Sequence, residues 1–498
     1  MSIPEDIRSV PRPKNTVVVA YGTNKDLYAV RQRTGCVYQN GRRLPVNGQI
    51  IGHIINNEYV PLVTMPNLPV SQSTIELKGW GAVTLANSVA FSLLDELCTV
   101  YARCDALKIY CAALLRVCDP GIKDCELKDA YDESFLSELY PDVALSKNTI
   151  CTFWQNIGKA YSRIVSYMTL RVATVEAGHH LIIDGTLKTN QSTVNTLSEF
   201  SRKARVKGSK DISILYAYDL ENMEPVCSKC FPGNMIDSTA YESFLAEYGI
   251  KRGIIVGDKG FPSSCAFEQF KKNADLHYLN PLKRDSKYIK QCNLLAYTGQ
   301  LPGHETVMYK KAQANDCENK WLYSYRYAEQ AYKEECGWLH RAAKSEDFDI
   351  SDYDRESLLF GTLILESDLD MTPLDAFLAY ESRWEIELVM RYYKQACDFD
   401  ETRVHNDYSV IASEFCNLLA SIITHRILLL FERKKLLEKK TYREIMQILR
   451  KAKKCRMESS GDWKLIKMNS SQLKMLQELD LLPIPEAKRC GRRSKNAK

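Results

Sequence analysis

Three apolar runs that each end on an aspartate constrain the fold of this chain more than any other feature. Residues 181–186 read LIIDGT, 212–219 read ISILYAYD, and 253–261 read GIIVGDKGF. Short runs rich in Ile, Leu and Val, bounded by Gly and Asp, are the pattern of buried strands. The run around Pro225–Phe231 supplies a further strand, and LLFGTLILES, 358–367, a late one. A helical stretch near 239–248 separates the second run from the third. Strands alternating with helices imply an α/β fold, a mixed sheet with helices on its faces.

The flanking regions have other patterns. Residues 1–75 hold β-rich runs such as NTVVVAYG and QIIGHII between Gly, Asn and Pro turns. Arg12, Lys14, Arg31, Arg33, Arg42 and Arg43 punctuate them, so this is expected to be a basic β-rich region. Residues 76–177 read as helical and as a possible DNA-binding region, with 88–118 free of Pro and Gly until Pro120-Gly121. LSKNTICTFWQNIGKAYSRI, 145–164, fits a helix capped by Ser146. It reads either as the recognition helix of a helix-turn-helix or as a core helix using Trp154 and Tyr161. A domain is expected over 178–430, with an insertion at about 290–357 that carries Trp321, Trp338, Tyr323, Tyr325, Tyr327 and Tyr332. Residues 431–498 form a basic helical region and tail.

Composition excludes a disordered chain: of 498 residues, 45% are hydrophobic and 26% charged. The net charge of +5 does not by itself demand a polyanion. Residues 433–456, however, hold eleven Lys or Arg against Glu438 and Glu444, the footprint expected for phosphate binding. MSIPEDIRS has no apolar signal region. FCNLLASIITHRILLLF, 415–431, is short for a membrane span and contains His425 and Arg426, which favours a core helix. A cytoplasmic protein without a membrane partner is expected. The seventeen cysteines should then be mostly reduced. Cys104, Cys111 and Cys118 would line one helix face as small hydrophobes, with Cys125 following at the same spacing. Cys227 and Cys230 form a CxxC with no second pair to complete a zinc site, and read as structural.

Residues 380–394, YESRWEIELVMRYYK, carry the densest chemistry. Thr372 suits an N-cap, Pro373 the first helical position and Asp375 the third. No Pro or Gly follows through Gln395, so a single helix is expected. Tyr380, Arg383, Glu387 and Lys394 would share an arc of about 60° on one of its faces. Ile386, Val389 and Tyr393 would pack on a core from the opposite face. With Asp184 and Asp258, Glu387 makes three carboxylates able to bind two Mg²⁺ ions, if the fold brings them together. The same residues also fit a solvated charge network on the helix and turn chemistry at strand ends.

These motifs together resemble the DDE transposases of bacterial insertion sequences, the insertion-sequence-four superfamily, whose catalytic core is RNase H-like. The family signature Y-(2)-R-(3)-E-(6)-K matches Tyr380, Arg383, Glu387 and Lys394 without departure. Asp184-Gly185-Thr186 and Asp258-Lys259-Gly260-Phe261 match the first and second family aspartates. Gly233, Asn234 and Asp237 match an intervening element. The resemblance covers about 180–430. It implies that Asp184, Asp258 and Glu387 ligate Mg²⁺ or Mn²⁺, as two ions. Tyr380, Arg383 and Lys394 would grip phosphates of double-stranded DNA, at inverted-repeat ends and target, in a homodimeric synaptic complex. It further implies an aromatic for a flipped base, Trp321 or Trp338, although burial in the insertion explains both as well. Glu381 and Glu385 fall outside the signature, and an oxygen-only site has no need of His179 or His180. An RNase H-like nuclease that does not transpose, and a decayed DNA-binding regulator, are the alternative readings.

Overall fold

The computed structural model describes residues 3–20, 28–39, 41–62, 75–190, 192, 194–201, 208–235, 237–258, 263–344, 350–383, 401–402, 404–457 and 461–483. Glu387 and Lys394 lie outside the described residues, as do Glu385, Ile386, Val389 and Tyr393. The chain divides into two compact units, residues 1–75 with 457–459, and the remainder.

The smaller unit is a four-stranded antiparallel sheet in the order β1 (Thr16–Ala20), β2 (Tyr28–Gln39), β3 (Arg42–Ile55), β4 (Glu58–Pro61). Asn56 and Asn57 take φ of 51° and 62° between β3 and β4, as a two-residue hairpin turn requires. Ile7, Val10, Val18, Val30 and Ile54 form its core.

In the larger unit β5 (Ile75–Gly79) precedes four principal helices: α1 (Gly81–Val100), α2 (Arg103–Cys118), α3 (Lys147–Lys159) and α4 (Tyr161–Val172). The stretch 88–118 is thus two helices, broken at Tyr101 and Ala102, both of which have extended backbone. Cys111 and Cys118 are buried on α2, whereas Cys104, in its first turn, is exposed. The segment 145–164 also divides, at Ala160. Trp154 is 1% exposed in α3, and Gly158 of α3 meets the helix near 408 so closely that a Cβ would fall 1.9 Å from the Tyr408 carbonyl. α3 is therefore a core helix.

The sheet that follows has ten strands. Its centre is β6 (His180–Thr189), β8 (Lys210–Asp219), β9 (Glu224–Pro232), β10 (Arg252–Val256) and β11 (Asp275–Pro281), with the two-residue β7 (Glu199–Phe200) beside β8. β6, β8 and β9 form an antiparallel meander. β10 joins the other edge of β6 in parallel, and β11 joins β10 in parallel. This order, third–second–first–fourth–fifth, is that of an RNase H-like core. The expected insertion extends the same sheet: β12 (Gly299–Leu301), β13 (His304–Gln313) and β14 (Trp321–Tyr327) continue outward from β15 (Thr362–Ser367), itself antiparallel to β11.

Further helices pack around the sheet: α5 (Asp237–Glu247), α6 (Ala328–Ala342), α7 (Pro373–Glu381), α8 (Asp407–Arg433) and α9 (Tyr442–Lys451). α8 contains the run 415–431 and is buried on nearly every side, as a helix apolar all round must be. α1 and α8 are each long and apolar enough to cross a membrane, but 83% of the apolar window of α8 is buried within the protein. One continuous core joins α1–α4 to β6, β8, β9, α8 and α9. The helical region 76–177 therefore shares its core with the sheet. A second cluster, with Ile182, Ile254, Val256 and Leu279, receives Ala376, Phe377 and Tyr380 of α7.

Candidate active site

Asp184 lies within β6. Alternation along the strand puts Ile182, Asp184 and Lys188 on one face. Ile182 belongs to the cluster under α7, and Lys188 makes a buried 2.6 Å ion pair with Glu414 of α8. Asp184 thus emerges on the face that these two helices cover. The Asp184 carboxylate accepts a 2.8 Å hydrogen bond from the N–H of Gly185.

Asp258 stands two residues past the end of β10. β10 and β6 pair Ile254 with His180 and Val256 with Ile182, and the same register carried two residues further brings Asp258 level with Asp184. Neighbouring strands are ~4.8 Å apart, so a register continued to Asp258 would set the two carboxylates beside each other. The last turn of β10 is held by Asn280 of β11, a residue that sequence reasoning passed over. Its side-chain oxygen accepts from the N–H of Gly257 at 3.2 Å, directly before Asp258. An Asn at the end of the strand-like run LHYLNP was the available signal.

α7 brings the cation and the phenol. Thr372 caps it as expected, accepting at 3.1 Å from the N–H of Asp375, with Pro373 in the first turn. Of the helix expected to run through Gln395, the first segment closes at Glu381, Arg383 is helical again after Ser382, and the positions from 384 to 395 lie outside the described residues. Ser382, whose hydroxyl donates to the Ala379 carbonyl at 2.7 Å, is its C-cap. Such back-bonding bends helices. Tyr380 is buried beneath Arg383, whose guanidinium carbon lies 5.6 Å from the ring centroid. Burial pushes the phenol above its ordinary pKa, against the pull of the Arg383 charge. The Arg383 Nη1 is 3.9 Å from Asp258 Oδ1. Asp258, Tyr380 and Arg383 are therefore brought together, and the β6–β10 register, continued past Val256, directs Asp258 toward the level of Asp184.

Three tyrosines on one face of β14 hold α7 in place. The Tyr323 hydroxyl donates to the carbonyls of Leu369 and Met371, and the Tyr325 hydroxyl donates to that of Pro373 at 2.6 Å. The Tyr327 hydroxyl donates to the Glu381 carboxylate at 2.6 Å. The tyrosines noticed in the sequence as part of an insertion are the pegs of the helix that carries Tyr380. Trp321 opens β14, three strands from β10 and so about 14 Å across the sheet. Lys311 lies over its ring at 4.7 Å. Trp338, on α6, packs against Tyr353 with ring centroids 5.2 Å apart and planes tilted by 59°.

Two carboxylates with access to solvent are the hard oxygen donors that Mg²⁺ takes, with room for the waters it keeps. Among the described residues one other group has metal-binding spacing: donor atoms of His179, Asp219 and Glu221 lie within 4.8 Å of one another. Asp219 is already occupied by His179 at 2.8 Å, the N–H groups of Glu221 and Asn222, and the Asn222 amide. It organises the β8–β9 turn. His180, at the start of β6, is about 13 Å along the strand from Asp184. Cys227 and Cys230, three apart on β9, face opposite sides of the sheet and cannot share an ion.

The class defined by this architecture is an RNase H-like mixed sheet with one aspartate within a central strand and a second just past the end of its parallel neighbour. Residues 177–412 match the family described as Transposase DDE domain. That stretch is just under half of the chain and includes Asp184, Asp258, Tyr380, Arg383, Glu387 and Lys394. No curated protein matches the chain significantly. Among solved structures, the chain is similar to a piggyBac transposase synaptic complex with hairpin DNA, at 11% identity and a TM-score of 0.39. That similarity covers 74% of this chain and 79% of the other. It is also similar to the Mos1 transposase paired-end complex with left transposon end, at 11% identity and a TM-score of 0.15, over 32% of this chain and 58% of the other.

Proposed function

We propose that this chain is a DDE transposase of the insertion-sequence-four type, cutting DNA at the terminal inverted repeats of its element and joining the freed ends to target DNA. The reading is carried by the common level of Asp184 and Asp258 on adjacent strands, with Arg383 beside Asp258. The family match over the same residues supports it. Asp184, Asp258 and Glu387 would hold Mg²⁺ or Mn²⁺, as two ions. Such ions lower the pKa of an attacking water or 3′-hydroxyl and stabilise charge on the leaving oxygen. Arg383, over the Tyr380 ring, would grip a phosphate beside the carboxylates, with the Tyr380 hydroxyl and Lys394 as the other phosphate contacts. Bringing two ends together calls for a homodimer.

The test is a strand-transfer assay with the purified chain, a duplex carrying an element end, target plasmid and Mg²⁺. Nicked ends and joined products are expected. Asp184→Ala and Asp258→Ala should each abolish both products, spare end binding and weaken Mn²⁺ binding measured by titration calorimetry. Full cutting by either variant would overturn the metal-site assignment. Cutting without joined product would point to a nuclease instead.

A further inference from the structure

The β2–β3 hairpin is longer than the sheet it belongs to. β1 covers β2 only from Tyr28 to Gln32, and β4 covers β3 only from Gly52 to Ile55. Beyond these limits the two strands pair with each other alone, from Arg33 opposite Asn47 to Gln39 opposite Arg42. Every described residue from Gln32 to Asn47 is exposed. A strand with a core face would alternate between buried and exposed. This ribbon has no core face and projects for seven residues, about 23 Å. Register shifts between Val30 and Gly35 mark the place where it leaves the sheet, as bulges do when they bend and twist a strand.

Its composition is one-sided. From Tyr28 to Ile55 there is no Asp or Glu, but there are four arginines, Arg31, Arg33, Arg42 and Arg43. Among the described residues Arg33, Arg42 and Arg43 make no ion pair. Arg42 and Gln39 stand directly opposite at the tip, and Arg43 and Tyr38 are the next pair, pointing to the other face. A two-stranded ribbon without a packed face is marginal in water, so its exposed Val37, Tyr38 and Leu44 call for a partner. The partner that suits an acid-free cationic ribbon is a polyanion. The major groove of duplex DNA, about 12 Å wide, admits a two-stranded β-ribbon.

We infer that the β2–β3 ribbon is a DNA-reading arm, inserting its tip into a groove of duplex DNA. Arg42, Arg43 and Gln39 carry the donors that read base edges, and Arg33, at the base of the ribbon, meets a phosphate at the lip of the groove. Val37 and Leu44 offer the apolar contact that a thymine methyl takes. The inference rests on the transposase reading and deepens it: the arm selects the DNA on which Asp184 and Asp258 act.

The test uses the full chain and a duplex pool with a randomised core, from which bound sequences are selected. The parent should enrich a sequence preference. Arg42→Gln/Arg43→Gln should lose part of that preference and bind the parent's selected duplex at least ~10-fold more weakly. Arg8→Gln/Lys14→Gln removes the same charge from exposed positions outside the ribbon, and should keep the preference. If the parent selects a sequence and Arg42→Gln/Arg43→Gln retains both preference and affinity, the arm assignment is wrong and the transposase reading stands. If the parent binds no duplex, both fail. A variant that keeps its DNA affinity but shifts the monomer–dimer equilibrium in sedimentation would make the ribbon a contact between copies and overturn the inference.

Discussion

His425, inside α8, shows how one buried side chain sets a pH limit on this fold. Its Nε2 lies 2.7 Å from the Tyr218 hydroxyl, a donor that a neutral imidazole accepts. Burial lowers its pKa from 6.5 to about 4. The unfolded chain therefore takes up a proton below pH 6.5 that the folded chain refuses until about pH 4. The stability this contributes is complete above the unfolded value and is lost as pH falls through that window, up to ~3 kcal/mol in all. His425→Gln can still accept from Tyr218 but does not titrate. In urea unfolding, the parent should lose ~2 kcal/mol more than this variant between about pH 7 and pH 5. Equal losses would mean that the ring takes up its proton in the fold as readily as in the unfolded chain. At this scale legibility was uneven. Asp184 and Asp258 stood out because a carboxylate interrupting an apolar run is costly unless it has a task or a partner. Asn280 did not, because its role depends on which β10 N–H lies opposite, and register is absent from a single strand's sequence.

Among the elements, α7 and β14 form a unit whose halves are some fifty residues apart. Alternation puts Tyr323, Tyr325 and Tyr327 on one face of β14, and their hydroxyls meet the entry, first turn and last turn of α7. Tyr323 and Tyr325 are fully buried, so their acceptors have no water to replace a lost donor. Tyr323→Phe/Tyr325→Phe keeps the rings and removes the pegs. It should fold with ~2–3 kcal/mol less stability in thermal or urea unfolding. Strand cleavage should fall more than end binding, because Tyr380 and Arg383 would lose their registration on Asp258. Cleavage at the parental rate would show that α7 is placed by its apolar face alone. The Thr-Pro-x-Asp cap was legible in advance, because capping is a local interaction. The role of the tyrosines was not, since a pattern of alternation identifies a face without identifying what lies against it.

At the scale of the molecule, the helices of 76–177 are the main lesson in packing. Their periodicity told which faces are apolar but not what those faces pack against. In the fold α1–α4 bury those faces in one cluster with β6, β8, β9 and α8. Polar ties run across the same boundary: Arg116 of α2 bonds Asn417 and the Ser413 carbonyl of α8 at 2.7 and 2.9 Å. Arg171 of α4 bonds Glu224 of β9, which also takes Arg426 of α8. Removing the helices would expose the apolar surface of α8 and take from Glu224 one of its two cations, Arg171, leaving it Arg426 alone. A fragment 178–430, although it contains both aspartates and all but the first residue of the family match, is therefore expected to be insoluble or to lack a cooperative unfolding transition. A fragment 75–498 keeps the whole larger unit with β5 intact. It should express as a soluble protein, unfold in one cooperative transition by calorimetry, and retain Mn²⁺ binding. If 178–430 unfolds cooperatively on its own, the shared core is dispensable and the helices are an accessory layer; if 75–498 fails to fold, the smaller unit contributes stability that its separate core does not explain.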